Sequence, residues 1–348
     1  MKNLIKNARE QKKLKTRELG QMLNIDQSLI SKFENGTRKP TRKQVAQLAN
    51  FLDIDYETLM IAWLKEKILY EIGDDDFAIK AMNLVNEERE AYQITKKKHS
   101  ENLISILNEI DVLKHKLDMF RHLDSYRIAQ ALELEYTFES NKIEGNTLTL
   151  RETDLVINEG LTISGKSMRE HLEAINHQDA IGYIKFLIEK NTNLNEREVL
   201  SIHNLILRGI HPEDAGRYRK VQVMIKGSTH LPPQPFLIAK KMEDFYIWYE
   251  MNKKKLHPVI LAAEMHERLV TIHPFIDGNG RTSRLIMNLI LLQNGFVIAN
   301  IKGDFDSRIN YYQSLETAQT KNKKEDFLMF VAEIEKQSLE RYLNIIGQ

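Results

Sequence analysis

The stretch HPFIDGNGRTSR, residues 273–284, groups residue types that could bind phosphates and move a proton. Its Gly-Asn-Gly run at 278–280 lets backbone amides face a ligand without obstruction from side chains. A helix that starts at about Arg281 would add its unpaired N–H groups and the positive end of its dipole. Arg281 and Arg284 are three residues apart and therefore share a helix face. These features predict an anion site that is suited to several phosphates.

Asp277 and His273 supply the other chemistry of this stretch. Asp277 is its one carboxylate, and a carboxylate beside phosphates is best explained by a divalent cation, usually Mg²⁺. His273 can accept a proton near neutral pH and is the candidate general base. The alternative is a helix–loop–helix corner with surface arginines. That alternative does not explain why all these residue types converge in one loop.

Several other kinds of site are excluded by the residues present. A calcium-binding loop would need an acidic or amide residue in place of Arg281 and a glutamate in place of Asn288. The zinc-protease pattern HExxH is absent, because residues 266–270 read HERLV. The chain contains no GxSxG and no cysteine. These absences exclude a hydrolase nucleophile elbow and a cysteine nucleophile.

Residues 273–284 match every fixed position of HPFx[DE]GNGRxxR, and the chain resembles the Fic family over roughly residues 130–335. Members of that family transfer AMP from ATP to a protein hydroxyl and release pyrophosphate. The resemblance implies that His273 deprotonates the target Ser, Thr or Tyr, and that Asp277 holds Mg²⁺ or Mn²⁺. It places Arg281 at the β-phosphate and Arg284 at the γ-phosphate. The ATP-binding residues that it implies in this loop are His273, Asp277, Gly278, Asn279, Gly280, Arg281, Thr282, Ser283 and Arg284.

The segment KVQVMIKGSTHLPP, residues 220–233, has the only convincing strand signal. Val221, Val223 and Ile225 alternate with polar or flexible residues, and a turn-prone Gly-Ser follows. The segment resembles the flap of the Fic family, a small β-hairpin that aligns the main chain of the target by strand addition. The resemblance also lays part of the flap along the nucleotide, namely Ile225, Lys226, Gly227, Ser228 and Thr229.

NYYQSLETAQ, residues 310–319, resembles the helix of the family that contacts the nucleoside. The resemblance implies that Tyr311 and Tyr312 lie near the adenine or the ribose. Gln319 stands where relatives often have Asn, so its assignment to the ATP site is open. Ordinary helix packing is the alternative role of the two tyrosines.

SNKIEGN, residues 140–146, resembles the inhibitory motif [ST]xxxE[GN] of Fic proteins, with Ser140, Glu144 and Gly145 at its fixed positions. In relatives with this motif before the catalytic domain, the glutamate pairs with the second arginine of the signature. The resemblance implies that Glu144 occupies Arg284 and keeps ATP from binding productively. A solvated glutamate at a helix end is the alternative, and Glu144 could also orient water for removal of AMP.

The elements that must position these residues are helices. Only fifteen Gly and seven Pro occur among 348 residues, and apolar residues mostly recur at helical spacing, so the chain is predicted to be mainly α. Without cysteine it has no disulfide, and a reducing compartment is natural. The start lacks the apolar core of a signal peptide, and the most apolar run, residues 285–301, is broken by polar residues. We therefore expect a soluble cytoplasmic protein with no membrane contact.

Three regions follow from the patterns along the chain. Residues 1–64 are predicted to form a small, basic, helical domain, and residues 65–125 a helical linker or N-terminal part of the Fic region. Residues 126–348 would form an all-α Fic domain, with the inhibitory motif at 140–145. The linker carries an apolar stripe that predicts packing on a neighbouring helix, formed by Leu103, Ile106, Leu107, Ile110, Leu113 and Leu117.

The N-terminal region reads as five short helices. Thr16 and Asp26 are predicted to cap the second and third helices, and Gly36 to end the third. Residues 1–43 hold twelve basic and four acidic side chains, although the whole chain has a net charge of only +1. That local surplus is an electrostatic footprint for phosphates. The predicted core of the region is Leu19, Met22, Leu23, Ile25, Ile30, Phe33, Val45, Leu48, Ala49, Leu52 and Leu59.

TRELGQMLNIDQSLISKFENGTRKPT, residues 16–41, resembles the lambda-repressor/Cro-like helix-turn-helix family. The resemblance implies that the third helix enters the major groove of double-stranded DNA. The implied base contacts are Gln27, Ser28, Ser31 and Lys32. The implied phosphate contacts are Arg17, Arg38, Lys39 and Arg42. A protein-interaction or dimerisation role is the alternative, and a homodimer would suit a two-fold DNA site.

Two alternatives to an autoinhibited AMP transferase with a DNA-binding module stay open. The chain could be a transcription regulator whose Fic domain senses a nucleotide or a partner. The same site could also transfer UMP or remove AMP. The target protein, the DNA sequence and the oligomeric state are not written in the sequence.

Overall fold

The computed structural model describes residues 1–72, 99–121, 126–321 and 323–347. They fall into two compact units, residues 1–98 and residues 99–348. Within these described ranges there are fifteen α-helices and no strand, which confirms the predicted mainly α class. Part of the predicted linker, including VNEEREAYQITKKK at 85–98, lies outside the described residues.

The first unit consists of five helices around one small core. They are α1 (Lys2–Gln11), α2 (Thr16–Leu23), α3 (Gln27–Asn35), α4 (Arg42–Leu52) and α5 (Tyr56–Ile72). Asp26 accepts the N–H of Ser28 at 2.7 Å, and Gly36 ends α3 with φ of 78°, both as predicted. Thr16 is the first residue of α2 and not its N-cap, which is Lys15. The core also contains Ile5, Met60 and Trp63.

Met22 was predicted to lie in this core, but it is 60% exposed. The face of α2 that packs on α3 is centred on Leu19 and Gly20. A Cβ at Gly20 would collide with the carbonyl of Ile25, so the missing side chain lets α3 approach closely there. Met22 is turned about 110° away from the middle of this face, because successive helical residues are rotated by about 100°.

The second unit contains ten helices. They are α6 (Glu101–Phe120), α7 (Tyr126–Ile143), α8 (Leu150–Asn158), α9 (Met168–Glu189), α10 (Glu196–Leu207), α11 (Ile238–Asn252), α12 (Pro258–Ile272), α13 (Asn279–Gln293), α14 (Phe305–Lys321) and α15 (Glu325–Ile346). Helices α12 and α13 pack on each other at the centre, with α9 and α10 against α13 and α11 and α15 against α12. The loop 273–278 joins this central pair, so buried helices hold it at both ends.

The apolar stripe of α6 packs on a neighbour, as predicted. Leu103, Leu107, Ile110 and Leu117 are buried in the main core of the second unit, and Ile106 and Leu113 are partly buried against it. Their neighbour is α15. None of the helices described is long and apolar enough to cross a membrane.

The predicted β-hairpin at residues 220–233 is not formed, and this segment has no strand. The predicted turn is present, because the N–H of Ser228 donates to the carbonyl of Ile225 at 3.2 Å and Gly227 has φ of 80°. The returning arm contains Pro232 and Pro233, which have no N–H to donate to a ladder. An isolated pair of strands is also marginally stable in water. The segment is therefore an extended loop.

Candidate active site

His273 occupies the corner between α12 and α13 in an unusual backbone conformation. It ends α12 with φ of 49° and ψ of 58°, the left-handed region that a non-glycine residue rarely adopts. Such a residue costs of order 1–3 kcal/mol and persists only where its surroundings enforce it. Burial lowers the pKa of the His273 imidazole to about 4, with the nearby Val270 carbonyl acting in the opposite direction. The ring is therefore neutral at pH 7 and able to accept a proton.

The start of α13 forms a cradle of backbone N–H groups. The first bond within the helix runs from the N–H of Thr282 to the carbonyl of Gly278 at 2.9 Å, so the N–H groups of residues 279–281 precede it. The Asn279 side chain holds the loop by bonding to both the N–H and the carbonyl of Phe275, each at 3.0 Å. Gly278 has φ of 78°, and a Cβ there would press on His203 and Ile206. These N–H groups and the helix dipole can bind an anion.

Asp277 faces two arginines and a histidine. Its Oδ2 lies 2.8 Å from Arg169 Nη2 and 4.0 Å from His211 Nε2. Its Oδ1 lies 3.3 Å from Arg281 Nη2 and accepts the N–H of Gly278 at 2.6 Å. Although burial opposes ionisation, Arg281 and the Gly278 N–H hold the pKa of Asp277 below its usual value. The carboxylate is therefore ionised and lies between the guanidinium groups of Arg169 and Arg281.

The donors around Asp277 fit a magnesium or manganese ion that is bound together with phosphates. Among the residues described, no group of three or more His, Cys, Asp or Glu side chains could hold a metal. Mg²⁺ usually keeps several waters and takes one or two carboxylates plus phosphate oxygens. A single partly exposed carboxylate beside an anion cradle matches that requirement, and Asp277 would be the protein's ligand.

Arg281 points into the site from the first turn of α13 and is 2% exposed. Its Nη1 lies 3.4 Å from Glu173 Oε1, a carboxylate on α9 that is also buried. Its Nε forms no hydrogen bond within the described part of the chain. A buried guanidinium with spare donors is well suited to a phosphate group.

Arg284 is 1% exposed and is held by residues 140–144. Its Nη2 donates to Glu144 Oε1 at 2.7 Å and to the Ser140 carbonyl at 2.9 Å, and its Nε donates to Ser140 Oγ at 3.0 Å. Burial opposes the charge of Arg284, but Glu144 outweighs that effect and raises the pKa of the guanidinium. Glu144 and Ser140, at the end of α7, therefore surround the second arginine of the loop.

Gly280 allows Glu144 to reach Arg284. A Cβ at this position would collide with Glu144 Oε1 and would stand 3.1 Å from Arg284 Nη1. A side chain here would thus displace the ion pair as well as narrow the anion cradle. The glycine serves the resting contact and the predicted phosphate site together.

Arg219 fastens the extended loop 220–233 to the corner. It is 3% exposed, and its Nε donates to the His273 carbonyl at 2.8 Å. Its Nη1 donates to the Val221 carbonyl at 2.8 Å and its Nη2 to the Pro233 carbonyl at 2.6 Å. Farther along the loop, the N–H and Oγ1 of Thr229 both donate to Glu316 Oε1 on α14, at 3.0 and 2.9 Å. The predicted nucleotide segment 225–229 is therefore tied to α14.

The two tyrosines of α14 have different surroundings. Tyr311 is 2% exposed, and its hydroxyl contacts His266 Nε2 at 3.0 Å and Arg284 Nη1 at 3.4 Å. Tyr312 is 47% exposed and donates to the Ile143 carbonyl at 3.3 Å, next to Glu144 in the chain. Gln319 Nε2 is buried and lacks a hydrogen-bond partner within the described residues. Tyr312 is thus the more accessible ring, and Tyr311 is a buried neighbour that accepts a hydrogen bond from Arg284.

Thr282 and Ser283 turn their side chains into the core. Both are fully buried, and Ser283 Oγ donates to the Gly280 carbonyl at 2.9 Å. The Ser283 side chain thus stabilises the first turn of α13, whereas Thr282 Oγ1 has no hydrogen-bond partner among the described residues.

Four residues near the site were missed in the sequence: Arg169, Glu173, His203 and Arg219. His203 accepts the N–H of Gly216 at its Nδ1, at 3.0 Å, so its Nε2 carries the proton and donates to the Asp277 carbonyl at 2.9 Å. Its ring stacks on Phe275 with centroids 3.6 Å apart. Arg169 and Glu173 carry a local signal, an i,i+4 ion pair, but nothing local links any of the four to the loop.

The predicted DNA contacts of the first unit lie on or beside α2 and α3, except for Arg42, which begins α4. Arg17, Gln27, Ser28, Lys32 and Arg38 are exposed. Arg17 and Gln27 line one shallow groove between the two helices. Ser31, Lys39 and Arg42 are partly buried, and the Lys39 amino group donates to the Glu66 carbonyl at 2.7 Å. Lys39 is therefore engaged within the protein.

Residues 193–291 match the Fic/DOC family, and residues 3–62 match a helix-turn-helix domain. A protein adenylyltransferase Fic from Nematostella vectensis is 36% identical over 242 residues, covering 68% of this chain and 56% of that protein. The counterpart from Drosophila grimshawi is 31% identical over 277 residues, covering 77% of this chain and again 56% of its own length. The chain thus spans just over half the length of these relatives.

Solved structures share the fold. Fic-1 from C. elegans superposes with a TM-score of 0.63 at 24% identity, over 92% of this chain and 93% of that one. A Fic family protein from Desulfovibrio desulfuricans G20 gives a TM-score of 0.63 at 25% identity, over 72% of this chain and 77% of its own.

Proposed function

We propose that this chain, which carries a Fic/DOC domain and an N-terminal helix-turn-helix domain, is an autoinhibited protein adenylyltransferase. It would transfer AMP from ATP to a Ser, Thr or Tyr hydroxyl of a protein, itself included. The relatives named protein adenylyltransferase Fic support this reaction. The observation that carries the proposal is the convergence of a neutral His273, an ionised Asp277 and the open N-terminus of α13 in one corner. A cysteine-free composition is in keeping with a reducing cytoplasm.

In the proposed reaction the target hydroxyl oxygen attacks the α-phosphorus of ATP. The bond from that phosphorus to the bridging oxygen breaks, and pyrophosphate leaves. The hydroxyl proton passes to the His273 imidazole, which is neutral at pH 7 because burial holds its pKa at about 4. The N–H groups of residues 279–281 would donate hydrogen bonds to the phosphate oxygens and stabilise the negative charge that develops on them. Positioning and charge stabilisation would therefore account for the catalysis.

The remaining nucleotide contacts follow the same geometry. Arg281 would bind the β-phosphate through its spare donors, and Arg284 the γ-phosphate once Glu144 has left it. Asp277 would hold Mg²⁺ or Mn²⁺, and the ion would neutralise part of the phosphate charge when it is bound. Exposed Tyr312 and the amide of Gln319 would lie at the nucleoside, beside the segment 225–229.

The same ion pair supports autoinhibition. With Glu144 on Arg284, the γ-phosphate loses a ligand and meets an added negative charge at the same place. ATP would then bind weakly or with its α-phosphorus away from the attacking hydroxyl. The brake would be released by whatever moves the end of α7 away from α13.

Transfer from α-labelled ATP into a lysate tests the proposed reaction. We expect the Glu144→Gly variant, in the presence of Mg²⁺, to place the α-phosphate label on at least one protein. Unlabelled ATP should compete with the label more strongly than unlabelled UTP. Stronger competition by UTP would make the chain a UMP transferase. Loss of AMP from a premodified protein would favour the removal reaction, and no label on any protein would contradict transfer.

DNA binding by the first unit is a second proposed function, favoured by the exposed basic and polar residues on α2 and α3. In the full chain, affinity for a random duplex is expected to fall steeply with salt. The logarithm of the binding constant should fall linearly with the logarithm of the salt concentration, with a slope of about 0.9 per neutralised phosphate. Arg17→Ala combined with Arg38→Ala should reduce that slope by about two, measured by fluorescence anisotropy. A homodimer would present two such surfaces to a two-fold site.

The matched control removes two lysines from the other unit, Lys254→Ala with Lys255→Ala, both exposed. It should leave the slope unchanged. Binding that ignores salt, or equal losses in both double variants, would contradict DNA contact through α2 and α3. Sequence-selective binding by a chain that never transfers AMP would instead favour the transcription-regulator alternative.

A further inference from the structure

Arg169 is a second cation on Asp277 that comes from outside the 273–284 loop. It lies in the first turn of α9, and its Nη2 is 2.8 Å from Asp277 Oδ2. Its Nε also donates to Glu173 Oε1 at 3.1 Å. The side chain is 52% exposed, in contrast to Arg281, which is 2% exposed. Arg169 is therefore open to solvent, whereas Arg281 is enclosed by the protein.

The two oxygens of Asp277 are not equivalent. Oδ1 already accepts the Gly278 N–H and faces the buried Arg281. Oδ2 is the oxygen that a metal would bind, and it is also the oxygen that contacts the Arg169 guanidinium. Two positive charges within a few ångströms of one another repel, so a divalent cation and the guanidinium exclude each other at Oδ2.

We propose that Arg169 is the resting counterion of Asp277 and competes with the divalent cation for Oδ2. This inference rests on the proposed function, because the cation enters with ATP. Glu173 lies four residues along the same helix and can stay paired with Arg169 when the guanidinium leaves Asp277. Arg169 is thus a positioning residue that sets how much metal the chain needs. The carboxylate stays ionised and paired until the nucleotide and its metal arrive.

The test compares nucleotide affinity with and without metal. The dissociation constant for α,β-methylene ATP, an analogue that cannot transfer AMP, is measured in Mn²⁺ and again in EDTA, with every variant in the Glu144→Gly chain. The dissociation constant in EDTA divided by the dissociation constant in Mn²⁺ reports the contribution of the metal alone. Arg169→Ala should raise this ratio about two- to fivefold, the range expected for a half-exposed ion pair. Arg169→Gln should raise it similarly.

The control is Arg208→Ala, which removes an arginine of matching exposure that pairs with Asp179 at the surface. It should leave the ratio unchanged. An unchanged or lower ratio in both Arg169 variants would overturn the inference. Equal weakening with and without metal would make Arg169 a phosphate ligand and would overturn it too. If no chain binds the analogue at all, the proposed function fails together with the inference.

Discussion

Replacement of Glu144 by Gly is expected to increase AMP transfer by roughly 10- to 100-fold, the value of a hydrogen bond to a charged group of about 1.5–3 kcal/mol. In the resting chain Glu144 Oε1 holds Arg284 Nη2 at 2.7 Å. Without that carboxylate the guanidinium keeps its bonds to Ser140 and gains a free donor for the γ-phosphate. The measurement is the initial rate of label transfer from α-labelled ATP, to the chain itself and to lysate proteins.

Two further variants separate charge from backbone effects. Glu144→Gln keeps the length of the side chain and removes the negative charge, so it should also be activated. Glu159→Gly changes an exposed glutamate at the end of α8, where no contact with Arg284 exists in the described structure, and should behave as the unaltered chain. Equal rates in the unaltered chain and in Glu144→Gly would show that the ion pair is not a brake.

Replacement of His273 by Ala is expected to lower transfer by about 10²- to 10⁴-fold, the usual contribution of a general base. Because burial holds the pKa of His273 at about 4, the ring is neutral above that pH and protonated below it. The value of kcat/KM should therefore be flat from pH 8 to about 5 and fall only near pH 4. An ordinary histidine would produce that fall at about pH 6.5. The profile is measured in the Glu144→Gly chain.

The left-handed backbone of His273 requires a second variant. Alanine at φ of 49° is strained, whereas asparagine tolerates this region, so His273→Asn separates lost chemistry from lost folding. Both variants should unfold within a few degrees of the unaltered chain, as judged by circular dichroism. His115→Ala, at an exposed position on α6, should retain full activity. Transfer that persists in both His273 variants would remove His273 from its proposed role as base.

The loop 273–284 was readable in the sequence because its chemistry is contiguous. Small residues, an acid, a base and two arginines lie in one stretch, and the helix that follows fixes their geometry locally. Glu144 could be assigned only through the resemblance of SNKIEGN, since no local pattern states which arginine it meets. The helical class followed from periodicity, and so did the stripe of α6, which packs into the core of the second unit.

The remainder depends on packing between distant segments. Arg169 meets Asp277 across 108 residues, and Arg219 reaches the His273 carbonyl across 54. The flap has the alternation of a strand but lacks a neighbouring strand to complete its hydrogen bonds. Met22 has the periodicity of a core residue, but Gly20 moves the helix contact away from it. Each case is decided by what stands opposite the residue, and a single sequence does not contain that information.

The most direct test of the account is the intact mass of two chains after incubation with ATP and Mg²⁺. Glu144→Gly should gain one or more increments of about 329 Da, the mass of an AMP group that becomes covalently attached. The double variant, Glu144→Gly with His273→Ala, should gain none. Equal adducts on both chains, or a Glu144→Gly chain that modifies neither itself nor any lysate protein, would contradict a His273-dependent AMP transferase restrained by Glu144.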